Sequence, residues 1–284
     1  MGENIKEADY LEMFLSAKRL EGLSNNTLKY YSYVVRKMIT TINKPILDIT
    51  VDDIRCWLSE HKEKNKCSNV TINNMRRILS SFFGWLENED YIAKSPIRRI
   101  ANIKTPKVIR KILTDEMVEK LRYACVNTCE LSIVDFLLST GVRVGELVQL
   151  NRNDIDFEQQ ECIVLGKGNK ERVVYLDKKC CESLKKYLDN RLDKNEALFV
   201  TTVKLSRYSK GTVEQLLKKL GDRAGIPSVH PHRFRRTLAT VACEKGMPIE
   251  QVQQLLGHAR IDTTMNYVMV NQTIVKNSHR KYFG

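Results

Sequence analysis

The chain has 284 residues, more than the ~100–200 that one domain usually holds, so two domains are expected. Its 47 lysines and arginines against 34 aspartates and glutamates give a net charge of +13 and an isoelectric point near 9.3, which favours a polyanionic partner. No apolar run approaches the ~20 residues of a membrane-spanning helix, so an integral membrane protein is not expected.

The eight cysteines show neither C-x-x-C spacing nor nearby pairs of histidines. This spacing disfavours a zinc site, and no other pattern predicts a metal or a cofactor. No secretory signal is recognised in the sequence. We therefore expect reduced thiols in a cytoplasmic protein.

The first hundred residues contain four helical patterns with short connections. Apolar residues recur at helical spacing over residues 4–21, and Gly22 follows. Ser24, Thr50 and Ser68 precede the next three patterns, where their side chains can accept hydrogen bonds from the first turn of a helix. We therefore predict an all-α bundle of four helices.

Two of these helix starts are rich in amides, hydroxyls and cations. Such groups at a helix N-terminus suit contacts to phosphates and base edges. The alternative is a helical domain that binds nothing. The candidate DNA contacts here are Asn25, Asn26, Thr27, Lys29, Asn73, Arg76 and Arg77.

Residues 93–112 hold two prolines and seven cations and lack acidic side chains. The segment can be a solvated linker, and it can also run along a DNA backbone, where neutralised phosphates release counterions. These two interpretations are compatible. Lys104 and Lys107 are the candidate contacts in it. We place the domain boundary near Thr105, which gives domains of residues 1–104 and 105–284.

The second domain is predicted to begin with a helix at Thr114. Residues 130–139 form an apolar helix that must be buried, and Gly141 ends it. Arg143 follows at the start of another helix, among apolar residues. Because burying an unpaired charge is costly, this arginine either has a function or forms an ion pair, for which Glu146 is the nearest candidate.

Between Asp154 and Leu176 the pattern changes to short strands, I-D-F, E-C-I-V-L and E-R-V-V-Y-L, separated by turns. They predict a small antiparallel sheet with Lys167 in its second turn. Most lysines in turns serve only solubility. Two amphipathic helices are predicted to follow, over residues 178–192 and 211–224.

Most of the chemistry lies in residues 229–268, which read V-H-P-H-R-F-R-R-T-L-A-T and later L-L-G-H-A-R-I-D-T-T-M-N-Y-V. Pro231 suits the first position of a helix because it lacks the N–H that a first turn leaves unpaired. His232 and Arg235 lie three residues apart on one face of that helix.

A second helix is bracketed by Pro248 and Gly257, which leaves His258 just beyond its C-terminal end. Asp262 can cap a third, short helix that carries Tyr267. Each of these side chains could simply cap or pack. Together they place imidazole, guanidinium and phenol groups at three helix ends, which favours a site.

The spacing H-x-x-R, then L-G-H, then a tyrosine nine residues later resembles the C-terminal signature of the tyrosine recombinases, or phage-type integrases. The stretch T-G-V-R-V-G-E-L at 140–147 resembles their upstream arginine motif, and G-K-G-N-K-E-R at 166–172 resembles their lysine hairpin. The residues that match are Arg143, Lys167, His232, Arg235, His258 and Tyr267.

This resemblance implies a mainly α fold: an N-terminal core-binding bundle of the SAM-like type, and a mixed α/β catalytic domain with a small antiparallel sheet. It implies a site-specific DNA recombinase that works without metal or nucleotide through a 3′-phosphotyrosine. The implied partners are double-stranded DNA with specific core sites, three further copies of the chain in a tetramer, and an accessory directionality factor.

The resemblance also implies a role for each residue of the site. Tyr267 is the nucleophile and His232 its base, while Arg143 and Arg235 hold the phosphate oxygens. Lys167 gives a proton to the leaving 5′-oxygen, and His258 bonds a phosphate oxygen. Many members have a histidine at the position of Arg236. This departure predicts a change in the residues that surround the catalytic groups, without loss of activity.

Gly145 favours integration or excision of a mobile element. The alternatives are an Xer-type resolvase of chromosome or plasmid dimers, a type IB topoisomerase, and a catalytically silent DNA-binding regulator. The residues after Tyr267 either pack on their own domain or, as in the family, dock on a neighbouring protomer.

Overall fold

The computed structural model describes residues 7–105, 111–166 and 171–257. The chain divides into two compact units, Met1–Val108 and Ile109–Gly284, and each has its own apolar core. The sequence places the boundary near Thr105.

The described part of the first unit contains four α-helices, and the second, third and fourth begin where the sequence predicts. The first, predicted over residues 4–21, is described from Glu7 to Leu20. Ser24 Oγ accepts the N–H of Thr27, and Ser68 Oγ accepts the N–H of Thr71 at 3.2 Å. At the third helix, Thr50 and Asp53 exchange side-chain and backbone hydrogen bonds in a capping box. The helices are α1 (Glu7–Leu20), α2 (Asn25–Ile42), α3 (Val51–Lys64) and α4 (Asn69–Asn88).

The apolar faces of these helices form one core. Phe14 and Phe82 are fully buried and meet edge to face, with their ring centroids 5.2 Å apart. After α4 the chain forms a short 3₁₀ helix, Pro96–Arg99, that buries Ile97 against the bundle. Removing these side chains from water is the main stabilising contribution to the unit.

The second unit combines helices with one small sheet. In the helix over Thr128–Thr140, Ile133, Phe136 and Leu137 are inaccessible to solvent. The elements that the structure describes are α5 (Asp115–Tyr123), α6 (Thr128–Thr140), α7 (Val144–Leu147), β1 (Ile155–Asp156), β2 (Glu161–Leu165), β3 (Glu171–Tyr175), α8 (Lys178–Asp189), α9 (Lys210–Ala224), α10 (Pro231–Glu244) and α11 (Ile249–Leu256).

The sheet has the antiparallel order β1-β2-β3, with Val164 of β2 opposite Arg172 of β3. The first strand is shorter than the predicted I-D-F, because Asp156 Oδ1 accepts the backbone N–H groups of Glu158 and Gln159, each at 2.9 Å. These bonds close a turn immediately after Asp156, and Phe157 lies in that turn.

Gly141 ends α6 in a left-handed conformation, with φ +58°. A Cβ atom at this position would lie 2.8 Å from Leu238 Cδ2 of α10. The glycine therefore supplies both the conformation and the space that bring α10 close to the end of α6.

The predicted fold class is confirmed: the chain is mainly helical, with an N-terminal bundle and a second unit that carries a three-stranded antiparallel sheet. The eight cysteines, which all fall in the described ranges, are free thiols. Among the described helices, none is both long and apolar enough to cross a membrane.

Candidate active site

Helix α10 carries two of the predicted catalytic residues. It begins at Pro231, as predicted, with His230 at the N-cap position. His232 is exposed, whereas Arg235 is only 2% exposed. Although the two residues lie three apart, the His232 side chain is open to solvent and the Arg235 side chain lies inside the unit.

The guanidinium of Arg235 joins two helix ends. Its Nη1 donates to Gly141 O at 2.8 Å, at the end of α6, and its Nη2 donates to Leu256 O, at the end of α11. The last carbonyls of a helix have no partner within it and carry partial negative charge. The buried guanidinium thus gives a hydrogen-bond donor to a carbonyl at the end of each of these two helices.

Arg143 lies at the N-cap position of the short helix α7. Its Nη1 donates to Glu146 Oε1 at 2.8 Å, its Nη2 to Gly257 O at 3.0 Å, and its backbone N to Glu146 Oε2 at 2.7 Å. The ion pair with Glu146 that the sequence offered as an alternative is present. The Arg143 side chain remains 33% exposed, so solvent still reaches it.

The buried carboxylate of Glu146 has a second arginine partner, Arg172 of β3. Arg172 donates from Nη1 to Oε1 and from Nη2 to Oε2, both at 2.8 Å, and from Nε to Leu255 O at 3.3 Å. Burial alone would raise the pKa of Glu146, but the hydrogen bonds and charge of Arg172 and Arg143 outweigh it and lower the pKa to about 2. Glu146 is therefore a permanent anion near neutral pH.

Three consecutive backbone carbonyls at the end of α11 each accept a hydrogen bond from a different arginine. Leu255 O accepts from Arg172, Leu256 O from Arg235, and Gly257 O from Arg143. These arginines come from β3, α10 and the start of α7. The structure therefore brings two of the predicted catalytic arginines, far apart in sequence, to one helix end.

A cavity of about 610 Å³ lies beside the start of α10. The side chains on its wall that carry imidazole or positive charge are Lys111, His230, His232, Arg233 and Arg236. Burial lowers the pKa of Arg233. The cavity is suited to an anionic group, because its wall offers several hydrogen-bond donors.

Arg233 and Arg236 also form hydrogen bonds that hold the first residues of the second unit against α10. Arg233 donates to Pro227 O at 2.6 Å and to Ile112 O at 3.0 Å, and Arg236 donates to Lys111 O at 3.5 Å. Arg236, the residue that departs from the family pattern in the sequence analysis, therefore holds the first residues of the second unit against α10.

Four predicted functional residues lie outside the described residues: Lys107, Lys167, His258 and Tyr267. Leu165 and Glu171 pair across the two strands that flank Lys167, and Gly257 ends α11 immediately before His258.

Five of the predicted DNA contacts in the first unit are exposed: Asn25, Asn26, Lys29, Arg77 and Lys104. Thr27 is half-buried, and its hydroxyl lies 2.9 Å from that of the cap Ser24. The exposed residues at the start of α2 form a polar surface with a positive charge.

Asn73 and Arg76 have contacts that the sequence did not predict. Asn73 Oδ1 accepts the N–H of Ile103 at 3.0 Å, and Arg76 donates to Ile100 O at 2.7 Å and to Asn102 Oδ1 at 2.9 Å. Both side chains thus hold the segment after the 3₁₀ helix against α4.

Arg172 belongs to the site although the family motifs in the sequence do not include it. The pattern that could have revealed it is the alternation of β3, in which Arg172 and Val174 point inward while Val173 and Tyr175 point outward. An arginine at an inward position implies a buried acid nearby. In the described ranges no group of three or more His, Cys, Asp or Glu side chains has an arrangement that could hold a metal ion.

Comparison with known proteins gives matches over both units of the chain. The model of the phage integrase family matches residues 105–273, and that of the phage integrase N-terminal SAM-like domain matches residues 10–93. Tyrosine recombinase XerA of Pyrococcus horikoshii is 33% identical over 282 residues, which covers 98% of this chain and 95% of that protein.

Two solved structures show the same fold. A XerA recombinase is 28% identical and superposes with a TM-score of 0.56, covering 98% of this chain and 99% of that one. A lambda integrase fragment, crystallised as a dimer on a core site, has a TM-score of 0.76 at 21% identity, covering 91% and 97%. The chain therefore belongs to the phage integrase family and is a tyrosine recombinase, an enzyme of site-specific recombination.

Proposed function

We propose that the chain cleaves and rejoins DNA strands at specific core sites, with Tyr267 as the nucleophile. The observation that carries this proposal is the convergence of Arg143 and Arg235 on the adjacent carbonyls of Gly257 and Leu256, directly before His258. Two motifs separated by about ninety residues in sequence thereby supply one phosphate-binding site.

In the proposed reaction, the phenol oxygen of Tyr267 attacks the scissile phosphorus and the bond to the 5′-oxygen breaks. His232 takes the phenolic proton, because a phenol with a pKa of ~10 is a poor nucleophile until that proton leaves. Its exposed position at the cavity suits this role. Lys167 donates a proton to the departing 5′-oxygen, which leaves a 3′-phosphotyrosine and a free 5′-hydroxyl.

The two arginines stabilise the negative charge that develops on the non-bridging oxygens. Guanidinium is the suitable group because it stays charged and offers paired donors that match phosphate geometry. His258 adds a hydrogen bond to one of these oxygens. Attack by the 5′-hydroxyl of a second strand then reverses the first step, so strands are exchanged without net hydrolysis.

DNA is the expected partner of both units. The net charge of +13, the exposed polar start of α2 and the cations of residues 93–112 all favour binding along a phosphate backbone. We expect four copies of the chain on two paired sites, because each strand exchange needs two cleaved duplexes and each duplex is cleaved on both strands.

Between the biological roles, we favour an Xer-type recombinase that resolves DNA dimers. This choice depends on XerA of Pyrococcus horikoshii, which matches this chain over nearly the whole length of both proteins. Integration or excision of a mobile element is the second candidate, and Gly145 favours it. The two roles can be distinguished with a plasmid that carries two directly repeated sites. Resolution into two circles without an accessory factor supports the Xer-type role.

The first test uses a suicide substrate, a duplex nicked beside the scissile phosphate, so that cleavage releases a short fragment and traps the covalent complex. Wild type is expected to give a protein–DNA adduct that survives a denaturing gel. Tyr267→Phe lacks the nucleophile and gives none, while Tyr123→Phe, an exposed tyrosine outside the site, is the matched control.

Three outcomes would change the proposal. An adduct with Tyr267→Phe would place the nucleophile elsewhere. Sequence-specific binding without an adduct from wild type would favour the silent regulator. Relaxation of supercoiled DNA that lacks any core site would favour a type IB topoisomerase.

A further inference from the structure

Arg143 and Arg172 share one oxygen atom. The Nη1 atoms of both side chains lie 2.8 Å from Glu146 Oε1, while Oε2 accepts from Arg172 Nη2 and from the backbone N of Arg143. Glu146 is 4% exposed and Arg172 is 11% exposed. The direction of the Arg143 guanidinium therefore depends on a carboxylate whose own orientation is fixed by Arg172.

Arg172 also fixes the second acceptor of Arg143. Its Nε donates to Leu255 O, two residues before Gly257, whose carbonyl accepts from Arg143. Gly257 has φ +60°, and a Cβ atom there would lie 2.8 Å from Arg172 Cδ. The end of α11 thus packs directly on the Arg172 side chain, so both groups that hold Arg143 are in contact with Arg172.

We propose that Arg172 is a positioning residue for Arg143. It holds the Glu146 carboxylate through two parallel hydrogen bonds and supports the end of α11, so that the Arg143 guanidinium is oriented before DNA binds. Only a guanidinium can do this, because lysine offers a single point of charge in place of a planar pair of donors. The inference depends on the proposed function, in which Arg143 binds the scissile phosphate.

The test measures cleavage of two suicide substrates, one with the natural phosphodiester and one with a methylphosphonate at the scissile position. Arg143 acts on negative charge at the non-bridging oxygens, and the methylphosphonate has no such charge. A defect in Arg143 therefore slows cleavage of the phosphodiester more than cleavage of the methylphosphonate. General damage to the fold slows both by the same factor.

Arg172→Lys is expected to lower phosphodiester cleavage about 10²-fold, because a small displacement of a catalytic group has an effect of that size. Methylphosphonate cleavage should fall much less. Arg172→Gln, which keeps a hydrogen-bond donor but no charge, should show the same pattern more strongly. The final yield of covalent adduct measures how many protein molecules are active, so each cleavage rate is normalised to that yield. Gel-shift assays first show that each variant still binds the DNA.

Arg122→Lys is the matched control. Arg122 forms a largely buried ion pair with Asp135 in the same unit, with Nε 2.7 Å from Oδ1, and among the described residues its side chain donates hydrogen bonds to Asp135 and Glu119 and not to α11. This variant should leave the ratio of the two cleavage rates unchanged.

Arg143→Ala separates failure of the inference from failure of the proposed function. If it lowers both cleavage rates equally, Arg143 does not act on phosphate charge and the proposed function is wrong at this residue. If Arg143→Ala is selective but the two Arg172 variants lower both rates equally, Arg172 has only a structural role and the inference is overturned.

Discussion

The four-helix bundle and the site around the end of α11 use charge in opposite ways. In the bundle, Arg36 and Glu12 pair at 2.9 Å with 63% and 62% of their side chains exposed. In the site, Arg172 and Glu146 pair at 2.8 Å with 11% and 4% exposed. The bundle helices meet through apolar side chains, whereas the elements of the site meet through buried arginines in addition to apolar contacts such as those of Ala239 and Leu256.

Exposed and buried ion pairs therefore contribute differently to stability and to the positioning of side chains. An exposed ion pair contributes ~0–1 kcal/mol, because water and salt screen it. Breaking a buried pair costs about 3–5 kcal/mol, because one charge is left without a partner. The bundle should therefore tolerate changes of surface charge but respond to loss of apolar volume, and the site should respond to the loss of a single charge.

The largest effect is expected for Glu146→Ala. Two arginines lose their carboxylate, so the free energy of unfolding should fall by about 3–5 kcal/mol, measured by urea denaturation. Adduct formation by the remaining folded protein should fall about 10²-fold, since Arg143 is no longer oriented. Glu119→Ala, an acid that pairs with Arg122 while 64% exposed, is the control and should change neither quantity much.

The next effect is expected in the bundle, for Leu79→Ala. Leu79 is fully buried, so the truncation should lower the free energy of unfolding by about 2–4 kcal/mol through lost burial and a cavity. The rate of adduct formation at saturating DNA should stay at the wild-type value. A matching fall in that rate would show that the bundle core also sets the geometry of the site.

Acid should weaken the protein partly through Glu146. Its pKa is lowered from 4.5 to about 2 in the folded chain, so its stabilising contribution is complete above pH ~4.5 and is lost as the pH falls toward ~2. This contribution is about 3 kcal/mol, since each unit of pKa corresponds to ~1.4 kcal/mol. Urea denaturation at several pH values should show a shallower loss for Glu146→Gln than for wild type, and parallel curves would contradict the assignment.

The smallest effect is expected for Glu12→Gln, which removes the exposed pair with Arg36. The free energy of unfolding should change by less than about 1 kcal/mol, and the change should shrink further in 1 M salt. A larger loss would mean that surface charge also stabilises the bundle.

The local structure could be predicted from the sequence. Ser24, Thr50 and Ser68 begin helices because their side chains satisfy N–H groups one turn ahead, and Gly141 and Gly257 end helices because they adopt positive φ without strain. These interactions span only a few residues, so a pattern of residues is enough to predict them. The same patterns placed Arg143 and Arg235 on their helices.

The groups that these side chains contact depend on the packing of distant elements and could not be predicted from the sequence. Arg172 and Glu146 are 26 residues apart, and Arg143 and Gly257 are 114 apart. No local pattern encodes such pairs, because the partner of a buried charge is set by how the sheet and helices pack. The meeting of three arginines at the end of α11 and the contacts of Arg76 with residues 100–102 therefore came from the structure alone.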